Sequence, residues 1–369
     1  MSSSSSPSVT VVMSVYNGEA YVAEAICSIL EQTYQDFEFI IINDGSTDST
    51  QMLICQYAER DSRIRVIHHS QNMMLVYSLN HGLALARGKY IARQDADDIS
   101  LPKRLEQQVN YLEQNPEVVA VSGRFHRLVS NRLHHGENII VHMGNPMLMP
   151  WHMAFAYSAQ HSLSMYRAGV VAPYRKDRLH SEDYDMWYRL MKIGHIVNLP
   201  QVIAHVRLHE NNITRIKRNE VEATMRICQR DIVNWIADHI LSESESFDLQ
   251  AFGNRHFAAI KNPEVLQTIL LKIQQTFANQ YPHWRFYSHR FIVRHNLHWL
   301  IIALVKGDFK QIQRLFFIIF YWGPWPILLS VLDLLYLQVL PRLWFMIKNF
   351  MIRKENCSRS TESVLHLFQ

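Results

Sequence analysis

GKYIARQDADDISLPKRL, residues 88–105, carries a short apolar run into four positions that hold three carboxylates. Tyr90, Ile91 and Ala92 read as the end of a buried strand, and Ser100 ahead of Pro102 reads as a helix start. Asp95, Ala96, Asp97 and Asp98 therefore fall in the turn between them. Residues two apart in an extended or turning backbone point the same way, so Asp95 and Asp97 can present oxygens to one point. Such a point suits a hard divalent cation, because Mg²⁺ and Mn²⁺ take oxygen ligands, commonly one or two carboxylates plus substrate phosphates. Taken alone, the same residues also suit a solvated acidic turn that caps the next helix, where Asp is favoured for capping and for the helix dipole.

Working outward, residues 9–15 (VTVVMSV) are rich in β-branched side chains and stop at the turn signal Tyr16-Asn17-Gly18. Over residues 19–32, Val22, Ile26, Ile29 and Leu30 follow helical spacing, with Glu24, Ser28 and Glu31 on the opposite side. Residues 37–43 (FEFIIIN) form a continuous apolar strand of the kind covered on both faces, running into Asp44-Gly45-Ser46-Thr47. A second helix, a strand at 64–67 and a helix at 75–86 through Leu75, Leu79 and Leu83 lead to the acidic stretch. The order βαβαβαβ predicts a parallel sheet with helices on both faces, and ligands of open sheets bind beyond the carboxyl ends of the strands. Three polar clusters, at 14–19, 43–46 and 95–98, fall at those ends, and their coincidence points to a nucleotide-type site. Neither GxxxxGK[ST] nor GxGxxG occurs, so a P-loop or a dinucleotide fingerprint does not explain it.

The 369 residues suit about two domains. A formal charge of +4 over that length does not call for nucleic acid, although basic residues thicken toward the C-terminus. Cys27, Cys55, Cys228 and Cys357 have neither metal-ligand spacing nor a paired pattern, which fits idle thiols in a reducing, cytoplasmic setting. The opening MSSSSSPS lacks the basic and apolar regions of a signal peptide, and residues 1–8 read as a disordered tail.

The segments at 14–50 (SVYNGEAYVAEAICSILEQTYQDFEFIIINDGSTDST), 88–105, 180–187 (HSEDYDMW) and 206–209 (VRLH) together strongly resemble the family 2 glycosyltransferases, with the motifs in the family's order. The resemblance implies a GT-A fold, an α/β/α sandwich with a mostly parallel sheet. It also implies inverting transfer of a sugar from a nucleotide diphosphate sugar; the carrier expected here is UDP or dTDP and the acceptor a polysaccharide or lipid-linked glycan. Carried over residue by residue, it implies that Ser14, Tyr16 and Glu19 contact the nucleotide and that Asp44 reads the base. Asp95 and Asp97 match the DXD pair, touching nucleotide and holding Mn²⁺ or Mg²⁺, with His209 completing the metal site. Glu182 and Asp183 match the catalytic ED motif, in which the Asp is the general base that deprotonates the acceptor hydroxyl.

The residues themselves leave other readings open. Ser181, Glu182 and Asp183 precede an apolar periodic run through Met186, Trp187, Leu190 and Met191, so they also read as an acidic helix N-terminus. His209 is a lone histidine in a polar loop, and such residues are commonly exposed or locally bonded. Arg207 suits a phosphate or a salt bridge, and Asp98 a ribose contact or a helix cap. Three positions depart from the family pattern: Ser14 stands where proline is usual, Asn43 where an acid is usual, and Met74 where glycine is usual. Trp151, His152, Phe155 and Tyr157 make an aromatic-rich stretch that either faces the acceptor or packs in a core.

After residue 216 the strand signals stop, and 221–241 and 263–280 read as helices separated by a polar turn at 242–246. From 315 to 340 the only charge is Asp333, with Phe316, Phe317, Phe320, Tyr321, Trp322 and Trp325 clustered. Gly323, Pro324 and Pro326 interrupt this run, and its longer piece, 327–340, is shorter than the ~20 residues a span needs. With Arg342, Lys348, Arg353 and Lys354 beyond it, the segment 315–354 reads as a peripheral membrane contact, the other reading being helices packed on the catalytic domain or a second subunit. The expected layout is a tail at 1–8, a catalytic domain at 9–215, a helical appendage at 216–310 and an apolar tail at 311–369, the enzyme working at the cytoplasmic face of a membrane. A catalytically inactive scaffold is the rival reading, which intact Asp95, Asp97 and Asp183 oppose. A nucleotidyltransferase would need a glycine-rich basic loop after the first strand, which residues 16–19 lack.

Overall fold

The computed structural model describes residues 6–296 apart from 130–131, 135–145, 157, 211, 213–215, 255, 286–287, 289–290 and 294. Tyr157, the expected apolar tail at 311–369 and its membrane contact at 315–354 lie outside the described residues. Among the described residues, no helix is long and apolar enough to cross a membrane.

The chain forms two compact units, Met1–Gln250 and Ala251–Gln369. In the first, β1 (Val9–Val15), α1 (Val22–Leu30), β2 (Phe37–Asn43), α2 (Thr50–Arg60), β3 (Ile64–His68), α3 (Leu75–Leu85) and β4 (Tyr90–Asp95) alternate as expected. There follow β5 (Ile99–Ser100), α4 (Arg104–Gln114), β6 (Val118–Val129), β7 (Arg132–His134), α5 (Met149–Met153), β8 (Met165–Arg167), α6 (Glu182–Met191), β9 (His195–Leu208), α7 (Arg218–Ala237) and α8 (Glu243–Gly253). One sheet runs β3-β2-β1-β4-β8-β6-β9-β5, with β7 beside β6. Its first half, β3-β2-β1-β4, is parallel, while β8 joins β4 and β6 antiparallel and β5 joins β9 antiparallel. In the second half β6 and β9 pair parallel, so the sheet is mixed, with antiparallel joins at β8, β7 and β5.

Alternation along the strands sorts the two faces. Val11, Met13, Phe39 and Ile41 share a core with Ile26 and Ile29 of α1, Ile54 of α2 and Leu105, Val109 and Leu112 of α4. Val12 and Ile42 point the other way, toward α3, where a Cβ on Gly82 would stand 2.5 Å from Val12 Cγ1. That close approach makes Val76, Leu79 and Gly82 the buried stripe of α3, in place of the expected Leu75 and Leu83. Ser28, expected on the solvent side of α1, is buried, where it donates to the Ala25 carbonyl and accepts the Ser100 N–H.

Register fixes the ligand edge. Ser14 pairs with Ile42 on one side and Asp95 on the other, and Asn43 pairs with Val15 and His68. Every strand of the parallel half thus ends at the same level, with its polar cluster just beyond.

Several expectations need correction. Ser8, assigned to the tail, is tied into the sheet: its carbonyl accepts the Tyr90 N–H at 2.9 Å and its hydroxyl bonds the Asp36 carboxylate. Residues 99–100 make a short strand, and the helix expected from Ser100 starts at Arg104. Trp151, His152 and Phe155 are buried, so this aromatic stretch packs as core. The first unit also reaches past residue 215, because α7 packs within it through Gln229 Nε2, which donates to the Phe155 carbonyl at 3.0 Å, and Asp231, which pairs with Arg178 at 3.0 Å. The polar turn expected at 242–246 is instead the start of α8. In the second unit, α9 (Pro263–Gln280) buries Leu266, Ile269, Leu270, Ile273 and Phe277 on one stripe, with proline at its first position, where a missing N–H costs nothing.

Candidate active site

The acidic turn is held from below by two buried arginines. Arg93 of β4 donates to Asp95 Oδ1 at 2.5 Å and to the Gln94 carbonyl at 2.7 Å. Arg104 of α4 donates to Gln94 Oε1 at 2.8 Å, to Ser100 Oγ at 2.7 Å and to the Arg93 carbonyl at 2.5 Å. Burial pulls Arg104 down to about 9, so it stays charged at neutral pH. Gln94, oriented by Arg104, donates to the carbonyls of Asp95 and Asp98 at 2.9 and 2.8 Å, which fixes both ends of the turn.

Carboxylate oxygens of Asp95, Asp97 and Asp98 lie within 4.8 Å of one another. Ligand oxygens around one hard cation stand up to ~4–5 Å apart, so the donor set and its spacing suit such an ion. Burial and the neighbouring Asp95 push Asp97 upward, with His209 opposing, and burial and both neighbours hold Asp98 well above the usual carboxylate range. Crowded acids of this kind are what a bound cation relieves.

Asp98 neither caps α4 nor faces solvent. It is buried, and Oδ1 accepts the Arg207 N–H of β9 at 3.1 Å while Ser162 supplies a hydroxyl. Arg207 also donates to the Asp97 carbonyl at 3.1 Å, pairs with Glu24 and lies over the Tyr21 ring at 4.6 Å. It braces the turn, so of its two readings the salt bridge is the one seen. Beyond β9, His209 Nε2 stands 2.9 Å from Asp97 Oδ2, and Asn212 Nδ2 donates to the same oxygen at 3.2 Å.

At the start of α6, Glu182 is buried and Asp183 is half-exposed, with Asp183 Oδ1 accepting the Tyr184 N–H at 2.7 Å. Burial, then Asp183, push Glu182 up to about 8, and Arg93 and Asp95 also act on its charge. The buried Arg93 guanidinium feels Asp95 and Glu182 together. The ED pair and the acidic turn therefore share one electrostatic environment. Of the two acids, Glu182 is the buried one with its carboxyl raised, and Asp183 is the more exposed.

Of the residues expected to meet the nucleotide, Ser14 is half-buried beside Asp95 and Tyr16 is 48% exposed. Glu19 is exposed but bonded: its carboxylate accepts the Ser49 N–H at 2.9 Å, lacing the loop after β1 to the start of α2. Asp44 is buried, its Oδ1 accepting the Met73 N–H at 2.9 Å and bonding His69 Nδ1 at 2.7 Å. Gly45, at φ 73°, lies against the backbone of Gln71 and Asn72, where a Cβ would meet the Gln71 carbonyl carbon at 2.4 Å.

Arg93, Arg104, His69 and Asn212 were missed by the sequence reading. Arg93 lies inside the strand segment and Arg104 in the helix start, where nothing in the local sequence singles them out, and nothing local pairs His69 with Asp44, 25 residues earlier.

A family model described as Glycosyl transferase family 2 matches residues 10–177. The chain is 38% identical over 213 residues to EpsE of Bacillus subtilis, which carries a glycosyltransferase name, covering 55% of this chain and 74% of that protein. It is 31% identical over 218 residues to the O-antigen biosynthesis glycosyltransferase WbnJ of Escherichia coli, covering 55% of this chain and 81% of that one. Among solved structures, residues 1–349 of TarS from S. aureus match with a TM-score of 0.51 at 15% identity, covering 83% of this chain and 89% of that chain, a likeness of fold.

Proposed function

The chain belongs to glycosyl transferase family 2 and is a glycosyltransferase, and on that premise we propose that it moves a sugar from UDP or dTDP onto a polysaccharide or lipid-linked glycan with inversion at the anomeric carbon. One observation carries the reading: carboxylate oxygens of Asp95, Asp97 and Asp98 lie within 4.8 Å of one another at the end of β4, where a cation bound to a diphosphate could be held. The buried Arg93 guanidinium, which feels the charges of both Asp95 and Glu182, supports placing the ED pair near that turn.

In this mechanism Asp183 accepts the proton of the acceptor hydroxyl as its oxygen attacks the anomeric carbon from the side opposite the diphosphate. Glu182, protonated beside it, keeps a second negative charge away from the base. Asp44 reads the base, and Ser14 and Tyr16 line the nucleotide. Asp95, Asp97 and His209 would hold Mn²⁺ or Mg²⁺, which when bound supplies electrostatic stabilisation to the leaving diphosphate. Arg93, Arg104 and Arg207 keep the ligand-bearing turn in place before substrate arrives. The role of the similar WbnJ in O-antigen biosynthesis supports a glycan acceptor. The apolar, aromatic run at 315–340 supports work at the cytoplasmic face of a membrane.

The test is nucleotide release from a panel of nucleotide sugars with Mn²⁺, with and without EDTA. The wild type turns over at least one donor and EDTA stops it. Asp183→Asn loses at least about 100-fold in turnover while binding UDP normally, and normal turnover by that variant overturns the base assignment.

A further inference from the structure

The carboxylate of Asp44 is held by an unusual partner. His69 Nδ1 lies 2.7 Å from Oδ1, and His69 Nε2 lies 3.0 Å from Nδ1 of His81, the two rings being nearly coplanar in orientation at 2°. Tyr77 presents its ring at 65° to His69, with centroids 5.5 Å apart, and Ser78 Oγ stands 3.3 Å from His69 Nδ1. We infer that His69, with its ring set by His81, is a positioning residue that aims the Asp44 carboxylate at the base and so sets base selectivity. The inference rests on the reading of Asp44 as the group that meets the base.

Hydrogen-bond bookkeeping gives the direction of every proton. An ionised carboxylate only accepts, so His69 Nδ1 carries a hydrogen and donates it. In the neutral ring Nε2 then accepts, and His81 Nδ1–H is its donor. Asp44 Oδ1 takes the Met73 N–H as well, at 2.9 Å, and is thereby filled. Oδ2 has no donor from the protein among the described residues. The main chain is fixed too: Asp44 N–H donates to the Val15 carbonyl at 2.9 Å, and His69 N–H to the Asn43 carbonyl at 2.9 Å. What remains free is the rotation of the carboxylate, and His69 and Met73 stop it.

An acceptor-only oxygen held in this way favours a base whose facing nitrogen carries a hydrogen. Uracil N3–H meets that need, whereas the cytosine N3 lone pair opposes it. UDP and CDP differ only at this edge of the ring, so the ratio of their affinities reads the orientation of Asp44. Affinity contributed by the diphosphate cancels in that ratio.

The experiment is calorimetric titration of the full chain with UDP and with CDP, each variant being checked for folding by thermal unfolding. Wild type prefers UDP, and Asp44→Asn, which puts a donor beside the remaining oxygen, loses the preference. His69→Leu lowers the UDP:CDP ratio about tenfold. His69→Asn, whose amide nitrogen stands in for Nδ1, restores most of it, and His81→Phe, which keeps a ring against His69 but no N–H, lowers it in part. No preference in the wild type, or an unchanged ratio in Asp44→Asn, removes the base-reading role and this inference with it. A ratio lost in Asp44→Asn but kept in folded His69→Leu overturns the inference alone. Where His69→Leu does not fold, an unchanged ratio in His81→Phe overturns it equally.

Discussion

His209 Nε2 stands 2.9 Å from Asp97 Oδ2, so a residue beyond the end of β9 closes on the turn that ends β4. The contact joins positions 112 residues apart and puts an imidazole and a carboxylate where a cation could meet both. Removing each has a separate consequence. His209→Ala weakens Mn²⁺ binding about tenfold, and Asp97→Ala weakens Mn²⁺ and UDP together. Asp97→Asn removes a charge that burial and Asp95 hold at a raised pKa. A raised carboxyl contributes its stability fully below its unfolded pKa and loses it as pH rises. The Asn variant therefore melts higher than wild type at pH 7.5 without metal and gains nothing from added MnCl₂. Thermal unfolding with and without MnCl₂ checks both halves.

Arg93 pairs with Asp95 and feels the charge of Glu182, and it is buried. Replacing a whole buried ion pair by apolar side chains is often harmless, but removing Arg93 alone leaves two acids, Asp95 paired with it directly and Glu182 acting through its charge, without that cation. Arg93→Met lowers stability by about 1–2 kcal/mol, below the ~3–5 kcal/mol of a fully buried pair because Asp95 is 41% exposed and screened by solvent, roughly 2–8 °C in Tm. Saturating Mn²⁺ restores part of the loss, because it supplies the missing positive charge. A variant as stable as wild type without metal would mean that the acids are compensated from elsewhere.

Glu182 gives a test by pH. Burial, followed by Asp183, raises it from 4.5 to about 8. The native state then holds a proton that the unfolded chain gives up, so this contribution to stability is complete below about pH 4.5. It is lost as pH climbs through about 8. Wild type loses Tm between pH 5 and pH 8.5, and Glu182→Gln, which cannot ionise, loses less. Scanning calorimetry at the two pH values gives the comparison, and parallel losses in both proteins would rule Glu182 out as the source.

The parallel half of the sheet was legible because its signals are local. Continuous apolar runs at Val9–Val15 and Phe37–Asn43 stop at turn residues, and the helices between them keep one period. The mixed half was not. β8 is three residues long, and β9 carries Asn198, Gln201, His205 and Arg207 along its length, so neither reads as a run of strand formers. α8 was announced by Ser242 and Glu245, three apart, which bond each other's backbone N–H groups at 3.3 and 2.7 Å as a capping box does, yet the polar residues read as a turn. At the site, the acids were legible because carboxylates at strand ends are conspicuous. The cations and histidines that orient them were not, since each reaches its partner only through the tertiary fold.

Met74 offers the last test, because it combines an uncommon backbone with little packing. Its φ is 75° and its ψ 153°, a region open to glycine and costly for other residues, and its side chain is exposed. The conformation persists because neighbours hold it: Met74 N–H donates to Asn72 Oδ1 at 2.8 Å, and its carbonyl accepts the N–H groups of Tyr77 and Ser78 at the start of α3. Backbone strain of this kind costs on the order of 1–3 kcal/mol. Glycine relieves it and returns about 0.4–1 kcal/mol to the unfolded chain as entropy. The difference favours Met74→Gly by about 1 kcal/mol, or roughly 2–4 °C in Tm. Met74→Ala keeps the strain and leaves Tm where it was, which separates relief of the backbone from loss of the side chain. Should Met74→Gly melt lower than wild type, the methionine side chain would have to contribute packing that its exposure does not suggest.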